Sequence, residues 1–84
     1  MSRLLRDLER TLQRIGRSEA YPHRNDGAEF HNREARLPQQ PHGYYREYVH
    51  PNTAGGAGPR RVVVGRNGKV YYSPDHYNTF VRVR

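Results

Sequence analysis

Leu4, Leu5, Leu8, Leu12 and Ile15 recur at near-helical spacing, with arginines and Glu9 among the positions between them. Residues 3–15 are therefore predicted to form an amphipathic helix, with Ser2 placed to cap its start and Gly16 to end it. From Arg17 to Gln40 the periodicity is lost. Turn signals take over at Pro22, Asn25-Asp26-Gly27, Asn32 and Pro38, and only Phe30 and Leu37 stand out as apolar anchors. A long ordered loop, with room for a short helix, is expected there.

Beyond Gly43 the pattern changes to short β-prone runs: Tyr44–Val49, Arg60–Gly65, Val70–Tyr72 and Thr79–Arg84. They predict four antiparallel strands, within a range of three to five, over about residues 44–84. Asn67-Gly68 between two valine-bearing runs is a strong hairpin signal, because a two-residue turn there asks for positive φ at both positions. The stretch Ala54-Gly55-Gly56-Ala57-Gly58-Pro59 reads as a flexible loop between strands. One helix followed by a run of strands makes an α+β fold, the N-terminal helix packed on the antiparallel sheet, and residues 1–84 are expected to form a single domain.

Composition narrows what such a fold can do. At 84 residues and 33% hydrophobic, with no Cys and no Trp, there is one small core, no disulfide and no room for a separate cofactor domain. Charges punctuate the first residues too closely for a signal peptide, and no run is long enough to span a membrane. A net charge of +7, with fourteen Arg to one Lys, favours an anionic partner and the bidentate phosphate contacts that guanidinium makes. Nucleic acid is the first candidate.

Cleaving RNA by internal transfer needs a base for the 2'-hydroxyl proton, an acid for the departing 5'-oxygen and positive charge for the phosphorane between them. Glu47, in Tyr44-Tyr45-Arg46-Glu47-Tyr48, shares a strand face with Tyr45 and Val49. Taken alone it also reads as an exposed cross-strand partner of an arginine. His76, in Ser73-Pro74-Asp75-His76-Tyr77, taken alone reads first as a solvated turn histidine. The five histidines, His23, His31, His42, His50 and His76, show no pair at the short separations of common zinc motifs, and no metal is expected. The glycine-rich stretch lacks the Lys-Ser/Thr of a nucleotide cradle.

Read in order, Tyr21-Pro22, Asp26-Gly27, Phe30-His31-Asn32-Arg33-Glu34, Leu37-Pro38, Gly43 to Tyr48, Arg60-Arg61, Tyr71-Tyr72 and Asp75-His76-Tyr77-Asn78-Thr79-Phe80 resemble the barnase-like guanyl-specific microbial ribonucleases, most of all the small secreted bacterial branch. The resemblance covers residues 21–84, and the helix at 3–15 sits where that family has its own. It implies a metal-independent endoribonuclease that cleaves single-stranded RNA to a 2',3'-cyclic phosphate and then hydrolyses it, with no cofactor. It implies Glu47 as general base, His76 as general acid, Arg61 beside the scissile phosphate and Tyr77 near that phosphate. It also implies guanine recognition by Phe30, His31, Asn32, Arg33 and Glu34. A carboxylate at Glu34 can accept both the ring N–H and the amino group of guanine, which adenine cannot supply together; Asn32 would shape the loop and Phe30 cover the base. Without the resemblance, Asn32-Arg33-Glu34 is also readable as a polar capping turn.

The chain departs from the family at Ala57, where bacterial relatives carry a further arginine four residues before the one matched by Arg61. Arg60, Arg66 and Arg24 are the candidates to replace it. The secretory leader and the disulfide of some relatives are lacking as well, so a module cut from, or delivered by, something larger is expected, either secreted or delivered to a target cell as part of a larger effector, where a toxin role fits. Its partners would be single-stranded RNA and an acidic, barstar-like or other immunity protein; the chain is expected to be monomeric and away from membranes. Two other classes remain. One is a catalytically silent RNA-binding module using the same basic, tyrosine-rich face, and the other is a basic structural or ribosome-associated protein.

Overall fold

A computed structural model describes residues 3–84, so the expected Ser2 cap lies outside the described residues. The apolar stripe at the N-terminus becomes helix α1, Arg3–Gly16. Leu8 is fully buried, and Leu4, Leu12 and Ile15 flank it against Val62, Val70 and Tyr72 of the sheet. The helix ends at Gly16, as expected, but Gly16 does not supply the left-handed residue that closes it. Ser18 takes the left-handed conformation instead, at φ 57°. Ser18 N–H donates to the Ile15 carbonyl and Glu19 N–H to that of Arg14, which closes the last turn in a Schellman arrangement.

Four strands follow: β1 (Tyr45–Val49), β2 (Arg61–Gly65), β3 (Val70–Ser73) and β4 (Val81–Arg82). They pair antiparallel in the order β1-β2-β3-β4, giving the α+β fold that the pattern called for. β4 is shorter than the run 79–84 because the pairing bulges. Val83 and Arg84 both donate their N–H to the single carbonyl of Val70, so the ladder loses its regular alternation there. In the hairpin between β2 and β3 only Gly68 has positive φ, at 85°, whereas Asn67 does not. Gly68 N–H bonds back to the Gly65 carbonyl and Gly65 N–H to that of Lys69. The expected two-residue turn is therefore a longer loop closed by one left-handed glycine.

Alternation splits the sheet into two chemically different faces. Val62, Val70 and Tyr72 pack on α1. On the other side, where the composition pointed to one small core in all, Tyr45 and Val63 form a second core with Leu37, flanked by Phe30, Tyr44, Tyr71, Tyr77 and Phe80. The long segment before β1 closes this second core. It runs along the outer edge of β1, with Gly27 N–H bonded to the Glu47 carbonyl, Glu47 N–H to that of Ala28, and Phe30 N–H to that of Tyr45. That edge is thereby covered. A buried ion pair fixes the corner: the Asp26 carboxylate, 2% exposed, accepts from both arms of Arg14 at 2.8 and 3.0 Å. It also accepts the backbone N–H groups of Tyr21 and Val49.

Candidate active site

Register decides which polar side chains share the second face. Glu47 lies opposite Val63, and Arg61 lies between Val49 and Ser73. With a side-chain period of two, Glu47, Arg61, Tyr71 and Ser73 all project away from α1. Arg60 precedes the strand and turns to the helix side, where its guanidinium meets the Asp7 carboxylate at 3.0 Å and the Pro51 carbonyl.

Arg61 is buried, 5% exposed, for an unusual reason. Its Nη1 donates to the carbonyls of Gly58 at 2.7 Å and Arg60 at 2.9 Å, with a longer contact to Ala57. The glycine-rich stretch expected to be a flexible connector thus forms a carbonyl cradle for this guanidinium. The loop is itself braced by Tyr21, whose hydroxyl donates to the Gly55 carbonyl, and by Asn52 N–H bonded to the Gly56 carbonyl. The Nε of Arg61 is buried and meets no acceptor among the described residues. A buried cationic N–H without a partner is a rare and costly arrangement, and it is the kind of group an anion would satisfy.

The Tyr77 hydroxyl donates to Oε1 of Glu47 at 2.6 Å. Burial raises the pKa of this phenol, the hydrogen bond and the charge of Glu47 raise it further, and nearby Arg61 lowers it in part. Tyr77 thus stays a protonated donor. The resemblance implied a tyrosine near the phosphate; the structure puts its hydroxyl on the carboxylate. The turn carrying it is pinned by its neighbours: Tyr77 N–H donates to Ser73 Oγ at 2.8 Å, and the Asp75 carboxylate accepts from the Thr79 N–H, the Thr79 hydroxyl and Ser73 Oγ. Those bonds, the Thr79 N–H foremost, hold the Asp75 pKa down. His76 and Tyr77 are both left-handed, at φ 56° and 74°, a backbone state that costs non-glycine residues about 1–3 kcal/mol each. His76 N–H bonds to the Pro59 carbonyl, which ties this turn to the cradle of Arg61, and the imidazole is exposed.

The segment after Phe30 is shaped by Asn32. Its side-chain amide donates to the Leu37 carbonyl at 2.9 Å and accepts the Leu37 N–H at 3.1 Å, while its backbone is left-handed at φ 54°. Asn32 thus ties the loop together through its own side-chain amide. The Phe30 ring stacks at 5.1 Å on Tyr77 and meets Phe80 edge-on. Glu34 is exposed and pairs with Arg36 at 3.0 Å.

A cavity of about 220 Å³ joins these parts, lined by Phe30, His31, Asn32, Arg33 and Glu34 on one side and by Arg36, Glu47, Tyr77 and Phe80 on the other. It is smaller than the roughly 300–1,000 Å³ of pockets for drug-sized ligands and suits a single ring system. The whole segment implied to read guanine is therefore assembled with Glu47 and Tyr77. Arg61 and His76 do not line this cavity; they flank it through Tyr77. Neither Arg24, Arg60 nor Arg66 lines it either, and the cations that do are Arg33 and Arg36. Arg36 and Phe80 were not singled out from the sequence. Phe80 carried a usable signal, because Phe30, Tyr77 and Phe80 are the aromatic residues bordering the two motif-bearing loops.

Comparison with known proteins agrees with this geometry. A family model described as ribonuclease matches residues 2–84. Guanyl-specific ribonuclease St of Saccharopolyspora erythraea is 42% identical over 71 residues, spanning 83% of this chain and 70% of that one. Guanyl-specific ribonuclease Sa of Kitasatospora aureofaciens is 43% identical over 72 residues, 83% of this chain and 75% of that one. Among solved structures, ribonuclease Sa2 with exo-2',3'-cyclophosphorotioate superposes with a TM-score of 0.86 at 41% identity, covering 98% of this chain and 89% of the other. Ribonuclease Sa2 with guanosine-2'-cyclophosphate does so at 0.83 and 44%, covering 93% and 84%.

Proposed function

The chain belongs to the ribonuclease family, and on that premise we propose that it is a metal-independent endoribonuclease that cleaves single-stranded RNA after guanosine. The observation that carries this reading is the cavity that brings a carboxylate, Glu47, together with the Phe30–Glu34 segment. Glu47 takes the 2'-hydroxyl proton, and the 2'-oxygen attacks the adjacent phosphorus. His76 protonates the 5'-oxygen as the P–O bond breaks, leaving a 2',3'-cyclic phosphate. In the second step His76 takes a proton from water, the water oxygen opens the ring, and Glu47 returns its proton to the 2'-oxygen. Arg61 supplies fixed positive charge, and its unpaired Nε is the donor suited to a phosphoryl oxygen. Tyr77 holds one Glu47 oxygen so that the other faces the substrate.

Guanine is favoured because Glu34 can accept from both its N1–H and its amino group while Phe30 and Phe80 cover the ring. Arg36 already contacts Glu34, and a carboxylate has lone pairs for both. The net charge of +7 supports attraction of RNA and of an acidic immunity protein, and the reading extends to a toxin module on that ground.

The test is digestion of a labelled single-stranded RNA containing one guanosine. One cut after that guanosine, with a cyclic phosphate end, is expected; binding without any cut would instead make the chain an RNA-binding module. Expression without an inhibitor should deplete bacterial RNA, and unimpaired growth would remove the toxin reading.

A further inference from the structure

A second cavity lies on the outer side of the same segment, bordered by Glu29, His31, Asn32 and His42 but not by Glu47 or Tyr77. Glu29 is placed there by the extended pairing of residues 27–30 on β1, where it bridges to Arg46. His31, two residues on, emerges on the same side. His42 reaches the spot from the turn before β1, in which Tyr44 N–H bonds to the Pro41 carbonyl and Gly43 is left-handed at φ 79°. Gly43 N–H donates to Glu29 Oε2 at 2.7 Å, which fixes the carboxylate between the two rings.

Three metal-binding side chains converge as a result. His42 Nδ1 lies 3.5 Å and His31 Nδ1 3.7 Å from Glu29 Oε2, and one ligand atom from each residue lies within 4.8 Å of the others. Ligands held at about 2.0–2.1 Å around a tetrahedral ion stand about 3.3 Å apart, so two of the three edges are already close to that length. The third closes by rotation of His42, whose side chain is 94% exposed. As a plain surface arrangement, two exposed imidazoles on one carboxylate contribute little, whereas a bound ion would use all three at once. Two nitrogens and one oxygen suit a borderline divalent ion such as Zn2+ and suit Mg2+ or Ca2+ poorly.

We propose that Glu29, His31 and His42 form a binding site for one divalent transition-metal ion, with Zn2+ as its reference occupant and water completing the coordination. The ion would tie residues 29–31 to the turn before β1 and stiffen the segment that reads the base, a consequence that rests on the function proposed above. It takes no part in proton transfer, since the site opens away from Glu47.

Calorimetric titration of the full chain with Zn2+ near neutral pH, without RNA, tests the site independently of any nuclease activity. One ion per chain is expected, with affinity falling about tenfold or more in His31→Gln and again in His42→Asn, because each loses a direct ligand. Both imidazoles are exposed, so neither change removes buried packing. His76→Ala should bind as the wild type does, Mg2+ should not compete, and Zn2+ should raise the Tm of the wild type but not of the double histidine variant. No saturable binding, one ion per two chains, or an affinity that survives both substitutions would overturn the site.

Discussion

Tyr77 and Glu47, thirty residues apart in the chain, share a 2.6 Å hydrogen bond in which the phenol donates to one carboxylate oxygen. The bond couples the turn that carries His76 to the strand that carries Glu47. Glu47→Gln keeps the shape but cannot take a proton, and cleavage should fall by about a hundred- to ten-thousandfold with RNA binding retained. Tyr77→Phe leaves the base present but unheld. Its loss should be smaller, about ten- to a hundredfold, as expected for a charged hydrogen bond of about 1.5–3 kcal/mol. Rates on one guanosine-containing dinucleotide check both; a Tyr77→Phe enzyme with full activity would leave the bond without a catalytic consequence.

Arg61 and its neighbour Arg60 point to opposite faces, one into the carbonyl cradle and one onto Asp7. Arg61→Ala should therefore lower turnover by a factor on the order of a hundred or more, the usual effect of losing a preorganised donor. Arg60→Ala should leave turnover nearly unchanged. Ala57→Arg adds a second cation beside Arg61 and should raise the rate. Single-turnover measurements on the three variants decide the matter, and a large loss in Arg60→Ala alone would reverse the assignment.

Glu34 is exposed at the rim of the base cavity and already touches Arg36. Glu34→Gln keeps one acceptor but loses the paired acceptance of two guanine donors, so the ratio of cuts after guanosine to cuts after adenosine should fall while total cleavage persists. Mapping of cut sites on a mixed-sequence RNA measures this directly. An unchanged pattern would mean that the base is read by backbone groups alone.

Acid should destabilise the fold in two separate windows. His50 is buried, with Nδ1 against the Thr11 hydroxyl at 2.7 Å and Nε2 near Asp7; burial first, and the Arg60 charge second, push its pKa below 6.5 against the pull of Asp7. The unfolded chain therefore takes up that proton first, and stability should begin to fall below about pH 6.5 as pH drops toward the lowered folded value. Burial would raise the Asp26 pKa, but the hydrogen bonds from Arg14, Val49 and Tyr21 and the Arg14 charge together bring it below 3.8. Its stabilising contribution is complete above the unfolded value and disappears as pH falls through the folded one. Asp26→Asn should cost about 3–5 kcal/mol at neutral pH by leaving Arg14 without its counter-charge. Urea unfolding across the pH range reads all of this, and His50→Asn should flatten only the upper window.

The chain's own pattern determined the elements. The Leu4-Leu8-Leu12 spacing specifies a helical stripe, and the valine runs around Asn67-Gly68 specify a hairpin. Alternation places Glu47 with Tyr45 and Val49 on one face, and the motif words locate Glu34, Glu47, Arg61 and His76. Such patterns report which side of its own element a residue occupies, since the periods of helix and strand are local properties. What only the tertiary structure decided is what each side chain meets. Asn32 spends its amide on Leu37, Arg61 is cradled by loop carbonyls, and His76 and Tyr77 adopt left-handed backbones because Ser73, Asp75 and Pro59 hold them there. The Glu29, His31 and His42 cluster is the clearest case. No spacing of two and eleven residues reads as a metal motif, yet edge pairing of residues 27–30 on β1 and the turn at Gly43 bring the three together. Convergence of that kind comes from hydrogen bonds between distant segments, and no periodicity along the chain records which segments will pair.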